Sequence, residues 1–447
     1  MKKFIETIRN IFKIEDLKSR LGITMLYILI YRLGSFVVIP GIDPAQLQNL
    51  SDSTQSGILG LIDMFSGGAF SNASIFALGI MPYITASIII QLMGIAVPYF
   101  QRLQKEGESG RRKINQITRY LTVLVLILQS TGYLAGISYQ LPDEAFMLQG
   151  WQFRVVSTII LTAGSMFVMW LGERITDRGI GNGISLIIMI GIIARLPQAL
   201  IEEFGSRVGD GGGGLIIFVL EFVVLFFVFI GSIALVQGTR RIPVQYAKRI
   251  VGNKQYGGVR QYIPLKVNAA GVMPIIFAQA ICMVPITVAG FMASEGGDGI
   301  MTKIGAALSN HTGFWYNFMQ FSLVVMFTYF YTAITVNPVQ MAEDMKKNGG
   351  FIPGIKPGKK TTEYLDTIMS RITLPGSIFL GIITILPTFA MMAGVSTQFA
   401  YFFGGTSLLI LVGVVLDTLQ QIESHLLMRH YDGLMKSGRI KGRSGGY

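Results

Sequence analysis

The sequence predicts an all-α membrane protein with ten transmembrane helices in two inverted five-helix halves. Three observations carry this reading. Ten apolar stretches are long enough, or nearly so, to cross a bilayer: 21–38, 74–96, 120–138, 153–172, 183–200, 215–236, 269–291, 315–336, 372–392 and 402–420. About 20 apolar residues cross the roughly 30 Å hydrocarbon core as a helix. The basic residues alternate with these stretches. Of 37 Lys and Arg, 32 fall in the amino-terminal segment, the carboxy-terminal tail and every second loop. The intervening loops hold only Arg207 and Lys303, and Arg32, Arg154 and Arg195 lie inside spans. Positive charge stays on the cytoplasmic side during insertion, so both termini are expected there. Third, Ala77-Leu78-Gly79-Ile80-Met81-Pro82 opens the second span and Ala269-Ala270-Gly271-Val272-Met273-Pro274 opens the seventh. Five spans is an odd number, so two similar halves must be inverted.

Composition agrees. Hydrophobic residues make up 51% of the chain and charged residues 14%, with a mean hydropathy of +0.54. A chain this apolar would aggregate in water. The net charge of +12 is mostly topological. Its surplus leaves the cytoplasmic loops attractive to anionic lipid, acidic protein surface or RNA. The single cysteine, Cys282, lies in a predicted span and can form no internal disulfide.

Residues 1–20 carry six basic residues, and the apolar stretch after them has no small-residue cleavage site. A cleavable signal is therefore not expected. Phe4, Ile5, Ile8, Ile11 and Phe12 recur at helical spacing among the cations, as in a helix lying in the cytoplasmic interface. The amino-terminal half follows over 21–200. A Gly-rich external linker lies at 201–214, the carboxy-terminal half at 215–420 and a cytoplasmic tail at 421–447. Between the first and second spans, Ile58-Leu59-Gly60-Leu61-Ile62-Asp63-Met64-Phe65 is apolar but too short to span. It fits two readings equally: a mobile stopper in a pore, hinged on glycines, or an ordinary interfacial helix.

Two cytoplasmic loops are rich in turn chemistry. One runs from Lys105 through Arg111, Arg112 and Lys113, with mixed charges and glycines as in an exposed turn. The other places Lys356 between Pro353-Gly354 and Pro357-Gly358, which should hold it at a rigid tip. Both fit partner docking, and both also fit simple topology charges. Enzyme signals are poor. His425 and His430 are five apart rather than four, and no nucleophile elbow or metal motif occurs. Gly179-Ile180-Gly181-Asn182-Gly183 is glycine-rich but follows no strand. No cofactor is expected. Glu221 and Asp417 lie near span ends and read as helix-end or interhelix contacts.

The chain resembles the SecY family, the channel subunits of the bacterial Sec protein translocase. The matching motifs run from Tyr31-Arg32-Leu33-Gly34-Ser35 to Phe403-Gly404-Gly405-Thr406-Ser407-Leu408-Leu409-Ile410. Between them lie Met64-Phe65-Ser66-Gly67-Gly68, Gly79-Ile80-Met81-Pro82-Tyr83, the 105–113 and 179–185 segments and Pro264-Leu265-Lys266-Val267-Asn268. The resemblance implies a central hourglass pore between the halves. It implies a lateral gate between spans two and three on one side and seven and eight on the other. It makes 57–68 a plug helix, with Ile58, Leu59, Leu61, Ile62, Met64 and Phe65 as its apolar residues. It maps a pore ring onto Ile80, Ile84, Ile184, Ile188, Ile276 and Ile410. Two pairs in that ring are spaced i,i+4, each on one helix face. Such an apolar collar dewets and blocks ions.

By the same resemblance the expected function is passage of unfolded polypeptide across the bacterial cytoplasmic membrane and lateral release of apolar segments into it. The expected partners are SecE and SecG as small membrane subunits, the SecA ATPase, the ribosome through its RNA and exit-tunnel proteins, signal sequences and nascent polypeptides, and anionic lipids. Lys105, Arg111, Arg112, Lys254 and Lys356 are the implied docking residues. Two positions depart from the family. Its tip usually carries Arg where Lys356 stands, and Lys254 stands alone where relatives often have an arginine pair. Lys keeps the charge but loses the bidentate fork. The competing reading is an inverted-repeat secondary transporter for a small solute, which needs midplane ionisable pairs and a compact pocket.

Overall fold

The computed structural model describes residues 14–436 except 45–46, 48–62, 143–144, 148–149, 210–213, 247–248, 252–253, 257–259, 280 and 283–311. Among the described residues, seven helices are long and apolar enough to cross a membrane. An eighth candidate is a helix pair bent by 100°, Met81–Gly94 with Pro98–Gln104. The chain is a multi-pass membrane protein. It divides into two compact units, Met1–Gln198 with Val414–Tyr447, and Ala199–Gly413.

The first unit opens with α1 (Glu15–Gly34). Residues 15–20 run straight into the first span as one helix, and Arg20 pairs with Asp16 one turn back. The expected interfacial residues before 14 lie outside the described residues. A Cβ at Gly34 would lie 2.0 Å from the Phe76 ring, so the chain passes close to Phe76 where α1 ends. The second span does not start at 74. Residues 75–80 form turns, tied by Ile75 N–H to the Val37 carbonyl at 2.9 Å, and α2 covers only Met81–Ala96. Gly79 takes φ +51° just before it, and Pro82 sits in the first turn, where its missing N–H has no partner to lose.

Pro98 then opens α3 (Pro98–Lys105) after an extended Val97. Next comes α4 (Glu108–Gln140). The expected 105–113 loop is therefore mostly helix, reduced to a turn at Glu106-Gly107 with Gly107 at φ +69°. A Cβ at Gly110 would sit 1.8 Å from the Leu103 carbonyl oxygen, so this close hairpin requires glycine. Phe100 and Leu103 pack with Ile90 beneath it. Beyond are α5 (Trp151–Arg178) and α6 (Gly183–Gly209). The core of the unit gathers Ile39, Leu78, Leu126, Leu134, Phe153 and Leu161.

The second unit carries α7 (Gly214–Gln237), which is apolar all round and leaves Ile216, Leu220, Phe226 and Phe227 exposed. That surface suits lipid or a membrane partner. After it the chain turns to strands: β1 (Thr239–Tyr246), β2 (Arg249–Val251), β3 (Lys254–Tyr256) and β4 (Arg260–Lys266). Helical residues resume at 273, and 283–291 of the expected seventh span lie outside the described residues. Then come α8 (Phe314–Thr335), α9 (Pro338–Lys347), β5 (Gly350–Phe351) and α10 (Lys359–Met392). The short α11 (Thr397–Ala400) follows, and α12 (Gly405–Lys436) passes from this unit into the first.

The fold is α-helical as expected, and a small sheet that the sequence did not announce is added to it. β1 pairs antiparallel with β4 over Thr239↔Lys266 to Gln245↔Arg260, and with β5 at Gln245↔Phe351. Two loops distant in sequence thus form one small domain. Its core is Ile242, Val244, Leu265, Met345, Ile352 and Leu365. Ile242 and Val244 point inward at alternate positions of β1, the period-two pattern of a half-buried strand.

Candidate functional site

The chain from Asp63 to Ala73 and one face of α6 form a single site. Asp63–Ser66 is a helical turn. It leads into Gly67 at φ +65° and Gly68 at φ +90°, conformations that only glycine adopts without strain. On α6, Ile184, Ile188, Gly191 and Arg195 recur at i, i+4, i+7 and i+11, one stripe along the helix. A Cβ at Gly191 would lie 2.6 Å from the Phe65 carbonyl oxygen, so the backbone at 65–67 crosses α6 directly on this glycine. One turn further, Arg195 meets the Asp63 carboxylate and donates to Ser71 Oγ at 2.6 Å. Asp63 Oδ1 also accepts from Ser71 N–H at 2.8 Å. The pair is largely buried, with side chains 15% and 11% exposed.

α1 holds the same turn from another direction. The Tyr31 hydroxyl donates to the Ser66 carbonyl at 3.1 Å, and Arg32 Nη1 donates to the Gly67 carbonyl at 2.8 Å. Tyr133 of α4 donates to the Phe70 carbonyl at 2.8 Å. Arg32 and Arg195, two of the three cations that lie inside predicted spans, thus serve one structure. Met64 is buried and Phe65 half-buried. Ile58, Leu59, Leu61 and Ile62 lie outside the described residues.

The expected ring residues divide between the units. Ile80, Ile84, Ile184 and Ile188 belong to the first, and Ile276 and Ile410 to the second. Ile80, Ile188 and Ile410 are buried, and the other three are half-buried. Ile80 and Ile84 are joined by Ile84 N–H to the Ile80 carbonyl at 3.2 Å. Ile184 is partly engaged elsewhere: its Cγ1 lies 3.1 Å from where a Cβ on Gly172 of α5 would stand. The matched hexapeptides fold alike. Gly271 takes φ +65° as Gly79 takes +51°, and helical residues begin at 273 as at 81. Ile276 and Ile84 hold the same place in the two copies.

The 179–183 segment is no phosphate cradle. The side chain of Asn182 accepts from the amides of Ile184 and Ser185, Gly183 N–H donates to Thr176 Oγ1 at 2.8 Å, and Gly181 N–H donates to Gln421 Oε1 at 2.9 Å. Its amides are spent on a tight helical hairpin. A Cβ at Gly183 would lie 2.0 Å from the Gly172 carbonyl oxygen, which explains the glycine.

The SecY family model matches residues 74–419. The protein translocase subunit SecY of Streptomyces coelicolor is 45% identical over 445 residues, covering 95% of this chain and 98% of that protein. The chain belongs to the SecY family. Solved structures share its fold. One is of a protein-conducting channel, with a TM-score of 0.60 at 19% identity and 95% coverage of both chains. Another, at TM-score 0.59 and 18% identity with the same coverage, is of a SecY whose plug domain stabilises the closed state and maintains a membrane seal.

Of the residues expected to dock partners, Lys105, Arg111 and Arg112 lie in the first unit and Lys254 and Lys356 in the second. Lys105 closes α3. Arg111 and Arg112 stand exposed in the first turn of α4, Arg112 facing Glu108 at 3.6 Å. In the second unit Lys254 opens β3, paired in register with Val251 of β2. Lys356 is exposed at a braced tip. Gly354 at φ +85° and Gly358 at φ +103° shape it. Ile355 N–H donates to the Ile352 carbonyl at 3.1 Å, and the Thr361 hydroxyl donates to the Lys356 carbonyl at 3.0 Å. Ile352, 3% exposed, anchors the tip in the core of the small sheet domain.

Sequence reasoning missed a second buried charge cluster. Arg207 Nε lies 2.9 Å from Glu203 Oε1, and Arg207 Nη2 lies 2.6 Å from Glu221 Oε1. Glu203 Oε2 accepts from Ser396 N–H at 2.7 Å. The cluster ties the end of α6 to the start of α7 and to the turn before α11. The available signal was the sparsity of external cations: Arg207 serves no topological purpose. Glu221 is thus the interhelix contact expected of it.

Proposed function

We propose that this chain is the protein-conducting channel of a bacterial cytoplasmic membrane, with both termini cytoplasmic. It passes unfolded polypeptides across the membrane, admits signal sequences and releases apolar segments sideways between spans two and three and spans seven and eight. It catalyses no reaction of its own. SecE and SecG complete the channel, and the SecA ATPase or the elongating ribosome supplies the drive at Lys105, Arg111, Arg112, Lys254 and Lys356.

One observation carries this reading beyond family membership. The α6 stripe sets the expected ring residue Ile188 one turn from Gly191 and two turns from Arg195, against which the root of the 57–68 segment is fastened. A stopper hinged at Gly67-Gly68 beside an apolar collar is what a channel needs to stay shut at rest. Ile80, Ile84, Ile184, Ile188, Ile276 and Ile410 form the collar, whose apolar wall excludes ions by dewetting. β-branched side chains keep that wall stiff.

A small-solute transporter is disfavoured by how the buried charges are used. Asp63–Arg195 and Glu203–Arg207–Glu221 are each paired within the protein. The test is deletion of 58–65. Planar bilayers containing the truncated chain should show raised resting conductance, and reconstituted translocation should accept clients with defective signal sequences. A truncated channel that stays closed and equally selective would make the segment an interfacial helix only.

A further inference from the structure

A groove of about 670 Å³ lies between α4 and α5 in the first unit. Leu134 of α4 and Ile159 and Met166 of α5 line it. Two of its hydroxyls are turned back on their own helices: Thr131 donates to the Ile127 carbonyl at 2.8 Å and Thr162 to the Thr158 carbonyl at 2.8 Å. Their methyl groups are left to the groove, so its wall is apolar despite the threonines. Arg154 stands at one end, exposed, and none of the ion pairs among the described residues includes it.

Position makes this cation informative. Arg154 lies at the external end of its span, where the charge sorting leaves almost no Lys or Arg. It serves no topological purpose there and needs another reason. Trp151, 72% exposed at the first residue of α5, marks the interface level, as tryptophans do. From Arg154 to Met166 the helix rises about 18 Å, close to the roughly 15 Å depth of one leaflet's hydrocarbon. The groove therefore runs from interface to midplane with a cation at its mouth.

We propose that this groove binds one phospholipid of the external leaflet, with an acyl chain between α4 and α5 and an anionic headgroup on Arg154. The amino-terminal dipole of α5 adds to the attraction at the same end. An apolar protein helix laid on this face would leave Arg154 uncompensated, whereas a phosphodiester pairs with its guanidinium fork. The leaflet assignment rests on the channel orientation proposed above, and the site itself does not.

The full chain, purified with whatever subunits accompany it, is examined by native mass spectrometry with phosphatidylglycerol or phosphatidylethanolamine added. Wild type should retain phosphatidylglycerol about fivefold better than Arg154→Gln, the factor expected of one cation near anionic lipid. Arg154→Lys should recover most of it. Ala163→Phe, which fills the groove, should lower retention with the charge intact. Phosphatidylglycerol carrying a diazirine on its acyl chain should label 127–135 and 154–166. Equal retention in wild type and Arg154→Gln overturns the proposal. So does labelling only elsewhere, equal preference for the zwitterionic lipid, or a co-purified single-span protein crosslinking at Thr158. Labelling of Gln152→Cys by an impermeant maleimide only from the cytoplasmic side overturns the leaflet assignment and leaves the lipid result standing.

Discussion

Arg195 of α6 and Asp63 at the root of the 57–68 segment form a buried ion pair, completed by the Ser71 hydroxyl and amide. The pair fastens the segment beside Gly67 and Gly68, whose positive φ angles turn the chain there. Removing one partner of a buried pair strands the other charge and costs on the order of 3–5 kcal/mol. Asp63→Asn should therefore loosen the root of the stopper, with raised resting conductance and a lowered Tm in detergent. Arg195→Met combined with Asp63→Asn should be less harmful than the sum of the two, because no charge is then stranded. Additive losses in that cycle would mean the two residues act separately.

The collar makes a second prediction. Replacing Ile80, Ile188 and Ile276 together by Gly should leave membrane insertion intact and make resting membranes leaky to ions. An apolar constriction holds ions out by staying dry, and glycine removes both its narrowness and its apolar wall. Because Ile184 is partly spent on Gly172, Ile184→Gly alone should leak less than Ile188→Gly alone. Single-channel recording in planar bilayers reads both comparisons. Unchanged conductance in the triple variant would remove these residues from the seal.

Local charge and periodicity made much of this architecture legible. The spans at 153–172, 183–200 and 215–236 fall within long apolar helices and 315–336 overruns one by a single residue, because a span needs only continuous apolar residues. The start of the second span was misread for a physical reason. Residues 74–80 are as apolar as the helix after them, but Gly79 at φ +51° and the bond from Ile75 to Val37 are tertiary facts. The sheet was missed because β1 and β5 lie about a hundred residues apart in the chain, and only the Ile242–Val244 alternation hinted at it. The Asp63–Arg195 pair was illegible for the same reason: neither residue's neighbours in sequence show its partner.

The Glu203–Arg207–Glu221 cluster yields a third prediction, on stability rather than conductance. One guanidinium serves two carboxylates that are otherwise buried together. Arg207→Met should lower stability by on the order of 3–5 kcal/mol, read as a fall in Tm of the detergent-purified protein. Arg207→Lys should fall between the two, since one ammonium cannot serve both carboxylates with a planar fork. A Tm within a degree of wild type for Arg207→Met would mean the cluster contributes little to folding.

The last prediction concerns Lys356, the residue that departs from the family's usual arginine. The tip that carries it is held by Ile352 in the sheet-domain core and by the Thr361 bond to its own carbonyl. Its position is therefore fixed before any partner arrives, as a docking residue requires. Lys356→Glu should slow translocation driven by the motor on the order of tenfold at low salt. The loss should shrink as salt screens the reversed charge. Lys356→Arg should match or exceed wild type, since the fork can hold a carboxylate or phosphate in two bonds. Ile352→Ala should impair the same assay with every charge unchanged, by unseating the tip at a cost of about 2–5 kcal/mol to its core. The competing view makes Lys356 one of six topological charges in its loop, where losing one changes little. Wild-type rates for Lys356→Glu across a range of motor concentrations would favour that view, and an unaltered rate in Ile352→Ala would strengthen it.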